Sequence, residues 1–307
     1  MALRNMRVWA YIDEVARAGS VRQASQRLNV TPSAVLRRIQ DVEYDLGAAI
    51  FERDNSGMRL TSAGEVLIRW IRSQSADLQR VHSYIQELSG LQRGEIRIAC
   101  SQALTRGWLL KEILEFRKQH QNVDFHVKVG NHHEALQALI AYETDLVLIF
   151  RPARSADLQP IMTIGQGLVA VMAADHPLAA KPTVRLRDCA AYDVVLPDTS
   201  FGGREVLDNY SANSSAKFRV VFEANSFELL FGFVRETEAI TFQVAIGTHS
   251  LTPADGLAVR PVSDADGAYG PLVLGQLTGR SLPHAVVKFA EQLSRKMDNM
   301  RSLPTLE

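Results

Sequence analysis

The chain has 307 residues, 46% of them hydrophobic and 22% charged, which is the balance of a globular protein with room for two or three separately cored domains. Its 34 basic residues offset 34 acidic ones, so a uniformly basic nucleic-acid binder is excluded and any DNA contact has to come from a local cluster. Only Cys100 and Cys189 are present and nothing resembles a zinc spacing, and neither an 18-residue apolar run nor a charged-then-apolar leader appears, so a cytoplasmic protein with no metal, no cofactor and no membrane contact is expected.

Residues 17–40 supply the local cluster: five arginines and no acid, with Asp41, Glu43 and Asp45 immediately after. Ala24 and Leu28 lie four apart on a short helix, Asn29-Val30 makes a turn, and Thr31-Pro32 gives an N-cap followed by the helical position where proline costs nothing. The second helix carries Val35, Ile39, Val42 and Leu46 as one inward stripe. Ser33, Leu36, Arg37 and Gln40 then fall on the opposite side, with Thr31 and Pro32 at its tip and Arg22 on the first helix. Such a surface suits a DNA major groove, where arginine can pair with guanine. A small solvated helical hairpin has the same spacing.

After the glycine stop at Gly47, Ile50 to Thr61 forms two extended pieces around Asn55-Ser56-Gly57, a hairpin wing with Arg53 and Arg59 as its cations. Ser62-Ala-Gly-Glu65 has the spacing of a capping box that opens a long helix. Along it Ile71, Leu78 and Ile85 hold one heptad position and Leu67, Gln74, Val81 and Leu88 the other, a seam that needs a partner helix. At about 1.5 Å per residue, residues 62–90 span roughly 43 Å, more than one small domain requires, so this is the expected dimerisation helix.

The run Gly19-Ser20-Val21, Ala24 to Val30, Ser33-Ala34-Val35, Leu46-Gly47, Phe51-Glu52-Arg53 and Arg59 to Glu65 closely resembles the N-terminal signature of LysR-type transcriptional regulators, densely over some 65 residues. The resemblance implies a winged helix-turn-helix (1–61), a linker helix (62–90) and a two-lobed α/β effector domain (91–307) with the fold of type 2 periplasmic binding proteins. It also implies a homodimer or homotetramer on double-stranded promoter DNA, governed by a small-molecule effector. In the N-terminal part three positions depart from the family pattern, Pro32 where glutamine is frequent, Leu36 where serine is frequent and Ser56 where an arginine of the wing is frequent, and further on Glu236 to Thr241 stands where a glycine-rich turn is frequent.

Gly90 to Gly94 has the composition of a hinge, and α/β patterning begins after it. Strands at 95–100, 123–129 and 146–150 alternate with helices at 108–116 and 134–141, which predicts a parallel sheet. A second set follows, with strands at 168–172, 192–196, 218–222, 240–242 and 257–260 and helices at 204–210 and 227–235. A final strand at 272–276 and a helix at 283–297 close the chain. The resemblance returns this last pair to the first lobe, giving lobe I at about 94–165 and 270–300, lobe II at about 166–269, and crossovers near Gly165 and Tyr269.

In open α/β sheets ligands lie beyond the carboxyl ends of the strands, against helix N-termini. Those ends are Ser101, Gln102 and Thr105; Asn131 and His132; Phe150 and Arg151; Thr199 and Ser200; Asn225 and Ser226; and Thr241 and Phe242. Hydroxyl and amide groups at these places either cap their own helices or converge on a pocket for a small anion, for which Arg151 and Arg204 lie close in sequence. His132-His133 lacks the acid or cysteine that a metal set needs, and no serine elbow, P-loop or dinucleotide fingerprint occurs, so no enzyme activity is expected. A redox regulator of the same build would need Cys100 and Cys189 as an exposed, reactive pair, whereas core packing is the role their surroundings predict.

Overall fold

A computed structural model describes residues 2–54, 57–88, 94–199, 201, 203–213, 217–263 and 270–301. It divides into two compact units, residues 1–82 and 83–307.

The first unit holds α1 (Ala2–Ala18), α2 (Val21–Arg27), α3 (Pro32–Leu46), β1 (Phe51–Asp54), β2 (Gly57–Leu60) and most of α4 (Ser62–Leu88). Ser20 caps α2, accepting from the Gln23 N–H at 3.4 Å, and Thr31 caps α3, accepting from the Ala34 N–H at 3.3 Å. Gly47 ends α3 in the left-handed region at φ 67°. The core gathers Ile12 and Val15 of α1, a helix that the sequence reading passed over, with Val21, Ala24, Val35, Ile39, Ile50 and Phe51. Leu46, expected on the inward stripe, is 52% exposed, because α3 has run past the body of the domain by its last turn.

Two corrections concern the start of α4. The cap is Thr61 rather than Ser62: its Oγ1 accepts from the Gly64 N–H at 3.0 Å and donates to the Ala49 carbonyl at 2.6 Å, so one hydroxyl fixes both the helix start and the approach to β1. A Cβ on Gly64 would overlap the Ile50 carbonyl, so α4 can lie this close to β1 only with glycine there. The first turns are consequently core: Ile68 and Ile71 are buried and Leu67 packs beside them, which removes Leu67 and Ile71 from the expected intermolecular seam. Beyond Ile71 the apolar residues Leu78, Val81, Tyr84 and Ile85 are all exposed, as are Val66 and Trp70 on the earlier turns. The side chain of Leu88 lies outside the described residues, as does the hinge at 90–93.

The second unit continues with β3 (Gly94–Cys100), α5 (Trp108–Gln119), β4 (Val123–Val129), α6 (His132–Ile140), β5 (Leu146–Phe150), β6 (Leu158–Gln166), β7 (Leu168–Ala173), α7 (Leu186–Cys189) and β8 (Asp193–Pro197). It closes with α8 (Arg204–Asn213), β9 (Arg219–Ala224), α9 (Phe227–Arg235), β10 (Thr241–Val244), β11 (Leu257–Pro261), β12 (Gly270–Leu277) and α10 (His284–Arg301). One sheet has the order β4-β3-β5-β12-β6. In the other lobe β10-β7-β11 and β8-β9 are joined by bridge pairing of Val194 with Ile240.

Neither sheet is purely parallel. β12 runs antiparallel to β5 and β6, and β7 antiparallel to β10 and β11, because each strand enters its sheet from the opposite lobe rather than through a helical crossover. The chain passes between the sheets at Gly167, just past the expected Gly165; the expected return at Tyr269 lies outside the described residues. β6 was not foreseen: Pro160 interrupts its pattern, a residue tolerated because β6 is an edge strand, and the ladder shifts register opposite it at Leu274/Gly275.

The returning β12 and α10 are anchored by a buried ion pair. Arg280 Nη2 donates to Asp145 Oδ1 at 2.6 Å and Nη1 to the Thr144 carbonyl at 2.9 Å, while Asp145 Oδ2 accepts from the Arg97 N–H at 2.9 Å. The guanidinium stands 5.2 Å from the Tyr142 ring. In the main core of this unit Phe116, Phe125 and Phe289 pack edge to face, with centroids 4.9 to 5.9 Å apart.

Candidate nucleic-acid interface and ligand cleft

Burial of Val35 and Ile39 turns Thr31, Pro32, Ser33, Arg37 and Gln40 outward, and all five are exposed. Leu36 does not join them. Lying three residues before Ile39, it shares the edge of the inward stripe and packs half-buried on the core. Asn29, at φ 53°, makes the left-handed turn that brings α3 against α2.

Most of the arginine cluster is already committed to acids. Arg17 pairs with Asp13 at 2.9 Å, Arg27 with Glu14 at 2.8 Å and Arg38 with Asp41 at 3.6 Å. Among the described residues Arg22 and Arg37 have no ion-pair partner, while Arg17, Arg27 and Arg38 are held only by solvent-exposed pairs that a phosphate can replace. Arg37→Ala is expected to weaken operator binding by about 1–3 kcal/mol and to relax preference at one base of each half-site. Gel-shift titration over a set of operator variants distinguishes this from a phosphate contact, which would weaken every sequence alike; unaltered binding would remove α3 as the reader.

In the wing Glu52 faces Arg59 across the ladder and Arg53 faces Met58, with both arginines exposed. The Met58 N–H donates to the Gly19 carbonyl at 2.8 Å. Gly57 sits at φ 134°, where a Cβ would overlap that same oxygen, so a glycine there is what lets the wing dock on the turn before α2. Ser56 lies outside the described residues.

In the second unit the loop after β3 reaches across to the other lobe. Ser101 is buried, and a single 3-10 turn (Gln102–Leu104) follows it. Gln102 Oε1 accepts from the Phe227 N–H at 3.0 Å, at the N-terminus of α9. Arg106 Nη1 meets Glu228 at 3.1 Å, its Nη2 meets Asp255 at 3.5 Å, and the guanidinium lies 5.6 Å from the Phe231 ring. Arg151, held at φ 46°, meets Glu205 at 3.5 Å. These contacts tie the lobes together and leave between them a recess of about 100 Å³, lined by Gln102, Thr105, Arg106, Phe231, Gln243 and Gly247.

The expected ligand residues therefore separate into groups. Ser101, Gln102, Thr105 and Ser226 cluster at the lobe junction, where Thr105 Oγ1 donates to the Gln102 carbonyl at 2.8 Å and Ser226 caps α9, accepting from the Leu229 N–H at 3.5 Å. Asn131 is taken up by capping α6, accepting from the Glu134 N–H at 2.9 Å while Glu134 accepts from the Asn131 N–H at 3.0 Å. Half-buried His132 has its Nδ1 shut from solvent with no hydrogen-bond partner. Phe150 and Phe242 face the core instead of the cleft, and Thr241 is fully buried with its hydroxyl unpartnered. Thr199 and Asn225 are exposed beyond β8 and β9, and Ser200 lies outside the described residues. Arg204 is engaged by Asp208 and Glu223, both at 2.8 Å, so it offers no spare charge to a ligand. Arg106 and Gln243 were missed, though a cation directly after Thr105 and ahead of a glycine helix start was the available signal for the first.

Other reactive side chains are enclosed. Cys100 and Cys189 are fully buried, and burial pushes the Cys100 thiol up to about 12. His176 is buried with Nδ1 accepting from the Leu178 N–H at 3.1 Å and Nε2 at 3.2 Å from the Glu238 carbonyl, so Nε2 carries the proton; burial lowers its pKa and keeps it neutral. Among the described residues no three metal-capable side chains cluster, and no helix is long and apolar enough to cross a membrane.

Two family models match the chain: a bacterial regulatory helix-turn-helix of the lysR family over residues 6–65, and a LysR substrate binding domain over residues 89–298. The RuBisCO operon transcriptional regulator of Allochromatium vinosum is 26% identical over 220 residues, covering 71% of either chain. A full-length OxyR variant from Pseudomonas aeruginosa superposes with a TM-score of 0.69 at 19% identity, over 94% of each chain. Full-length CbnR in complex with its target DNA gives 0.62 at 18% identity, over 95% of this chain and 99% of that one. At these identities the two structures show a common fold.

Proposed function

Because the chain belongs to the LysR family of DNA-binding transcriptional regulators, oligomeric proteins without enzymatic activity that join a helix-turn-helix to a substrate-binding domain, we propose that it reads promoter half-sites through the exposed face of α3 under control of a small carboxylate bound between its lobes. Residues 1–61 read the DNA, α4 pairs two chains through Leu78, Val81 and Ile85, and the lobes from residue 91 onward sense the effector.

The observation that carries the effector reading is the bond from the Phe227 N–H to Gln102 Oε1. An oxygen acceptor from one lobe already occupies the N-terminus of α9 in the other, and a ligand carboxylate is a stronger acceptor for the same place. Ser101 is the sharper probe, since its hydroxyl does not cap the following turn whereas Ser226 caps α9. In a thermal-shift screen of small carboxylates, Ser101→Ala is expected to lose most of the ligand-dependent stabilisation while operator binding without ligand stays at the parent level. Equal stabilisation of variant and parent by every hit would move the effector elsewhere. A cysteine-based redox switch has less support, because it needs an accessible thiolate and both thiols are enclosed.

A further inference from the structure

Where the first recess ends at Arg106, a second and larger cavity begins at Gly107, with a volume of about 470 Å³. That is within the range that holds a metabolite, roughly 300–1,000 Å³. Its walls come from both lobes: Trp108, Lys111 and Glu112 on the first turns of α5, Lys296 and Met300 near the end of α10, and Ser250 after β10. The lobes touch at this point, since a Cβ on Gly107 would come 2.7 Å from the Ser250 Cβ.

The polar groups of the lining are not equally available. Lys296 Nζ is held by both oxygens of Glu115 at 3.1 Å, and the Glu112 carboxylate takes the Gln292 amide at 2.9 Å. Ser250 Oγ, by contrast, is shut from solvent and makes no hydrogen bond among the described residues, an orphan that a ligand oxygen can satisfy. Lys111, exposed, supplies the remaining cation, with His249 exposed beside it as a polar group, while Trp108 and Met300 give an apolar wall.

We propose that this cavity is a second effector site, separate from the cleft at Ser101, for a small carboxylate with an apolar body. The carboxylate lies between Lys111 and the Ser250 hydroxyl, and the body packs on Trp108 and Met300. Because the walls belong to both lobes and the site adjoins the Gln102–Arg106 segment, occupancy reinforces the same lobe contacts that the cleft uses.

Calorimetry on the full-length protein with 3-phenylpropanoate, 3-phenylpropanol and 3-phenylpropylamine tests the assignment. The acid is expected to bind saturably, and the alcohol and amine at least tenfold more weakly. Lys111→Ala is expected to weaken the acid about tenfold, the loss of one charge-assisted contact, with Lys111→Arg restoring it. Ser101→Ala, in the cleft, is expected to bind the acid as the parent does. The proposal is overturned if the acid gives no saturable heat, if the alcohol or amine binds as well as the acid, if Lys111→Ala matches the parent, or if Ser101→Ala abolishes binding.

Discussion

Leu78→Glu is expected to turn the oligomer into monomers. Beyond Ile71 no described side chain of α4 is buried, and Leu78, Val81 and Ile85 recur at steps of three and four on a 27-residue helix. A helix roughly 40 Å long that leaves such a stripe in water gains stability when a second helix covers it. A carboxylate at the centre of that seam is desolvated without a partner, at a cost of several kcal/mol. Two linked readers gain about 10²–10⁴ in avidity over one, so operator affinity is expected to fall by that order. Light scattering reports the mass and a gel-shift titration the affinity. Ile71→Glu separates the two halves of α4, because Ile71 is core and its loss unfolds the winged domain. A Leu78→Glu protein that keeps the parent mass would end the proposal of α4 as the dimer helix.

Asp145→Ala is expected to destabilise the sensing unit by about 3–5 kcal/mol, since Arg280 is then a buried cation without its carboxylate. Both side chains are at most 5% exposed, so water cannot replace the lost partner. For a domain of this size the loss corresponds to a fall in Tm of about 6–20 °C. The double variant Asp145→Leu with Arg280→Met, which removes both charges and keeps apolar volume, is expected to recover most of the stability. Denaturant unfolding of the three proteins decides the matter, and an Asp145→Ala variant within about 1 kcal/mol of the parent would show that the pair is not the anchor of β12 and α10.

Local signals carried the first unit. Thr31, Pro32 and Gly47 act over one helical turn, so their spacing was enough to place α3. The α4 seam was half misread because a heptad pattern says that a stripe is buried without saying by what, and Leu67 and Ile71 are covered by their own domain. In the second unit the strands of both lobes were legible from apolar runs, while β6 was hidden by Pro160, and the antiparallel entries of β7 and β12 are long-range facts that no window contains. The ligand residues were the least legible. Asn131 and Ser226 carry the signature of helix caps and act as caps, and nothing local reveals that the Gln102 amide crosses to the opposite lobe.

If the effector binds at the α9 N-terminus as proposed, that crossing raises the concentration at which the protein responds. A ligand that takes the α9 N-terminus must first displace an acceptor tethered at very high local concentration, and only molecules with Gln102 swung away are competent to bind. If the tether is in place in about 99% of molecules, the apparent dissociation constant is about a hundred times the intrinsic one. On that proposal the glutamine is a threshold, raising the effector concentration that the sensing unit needs before it responds.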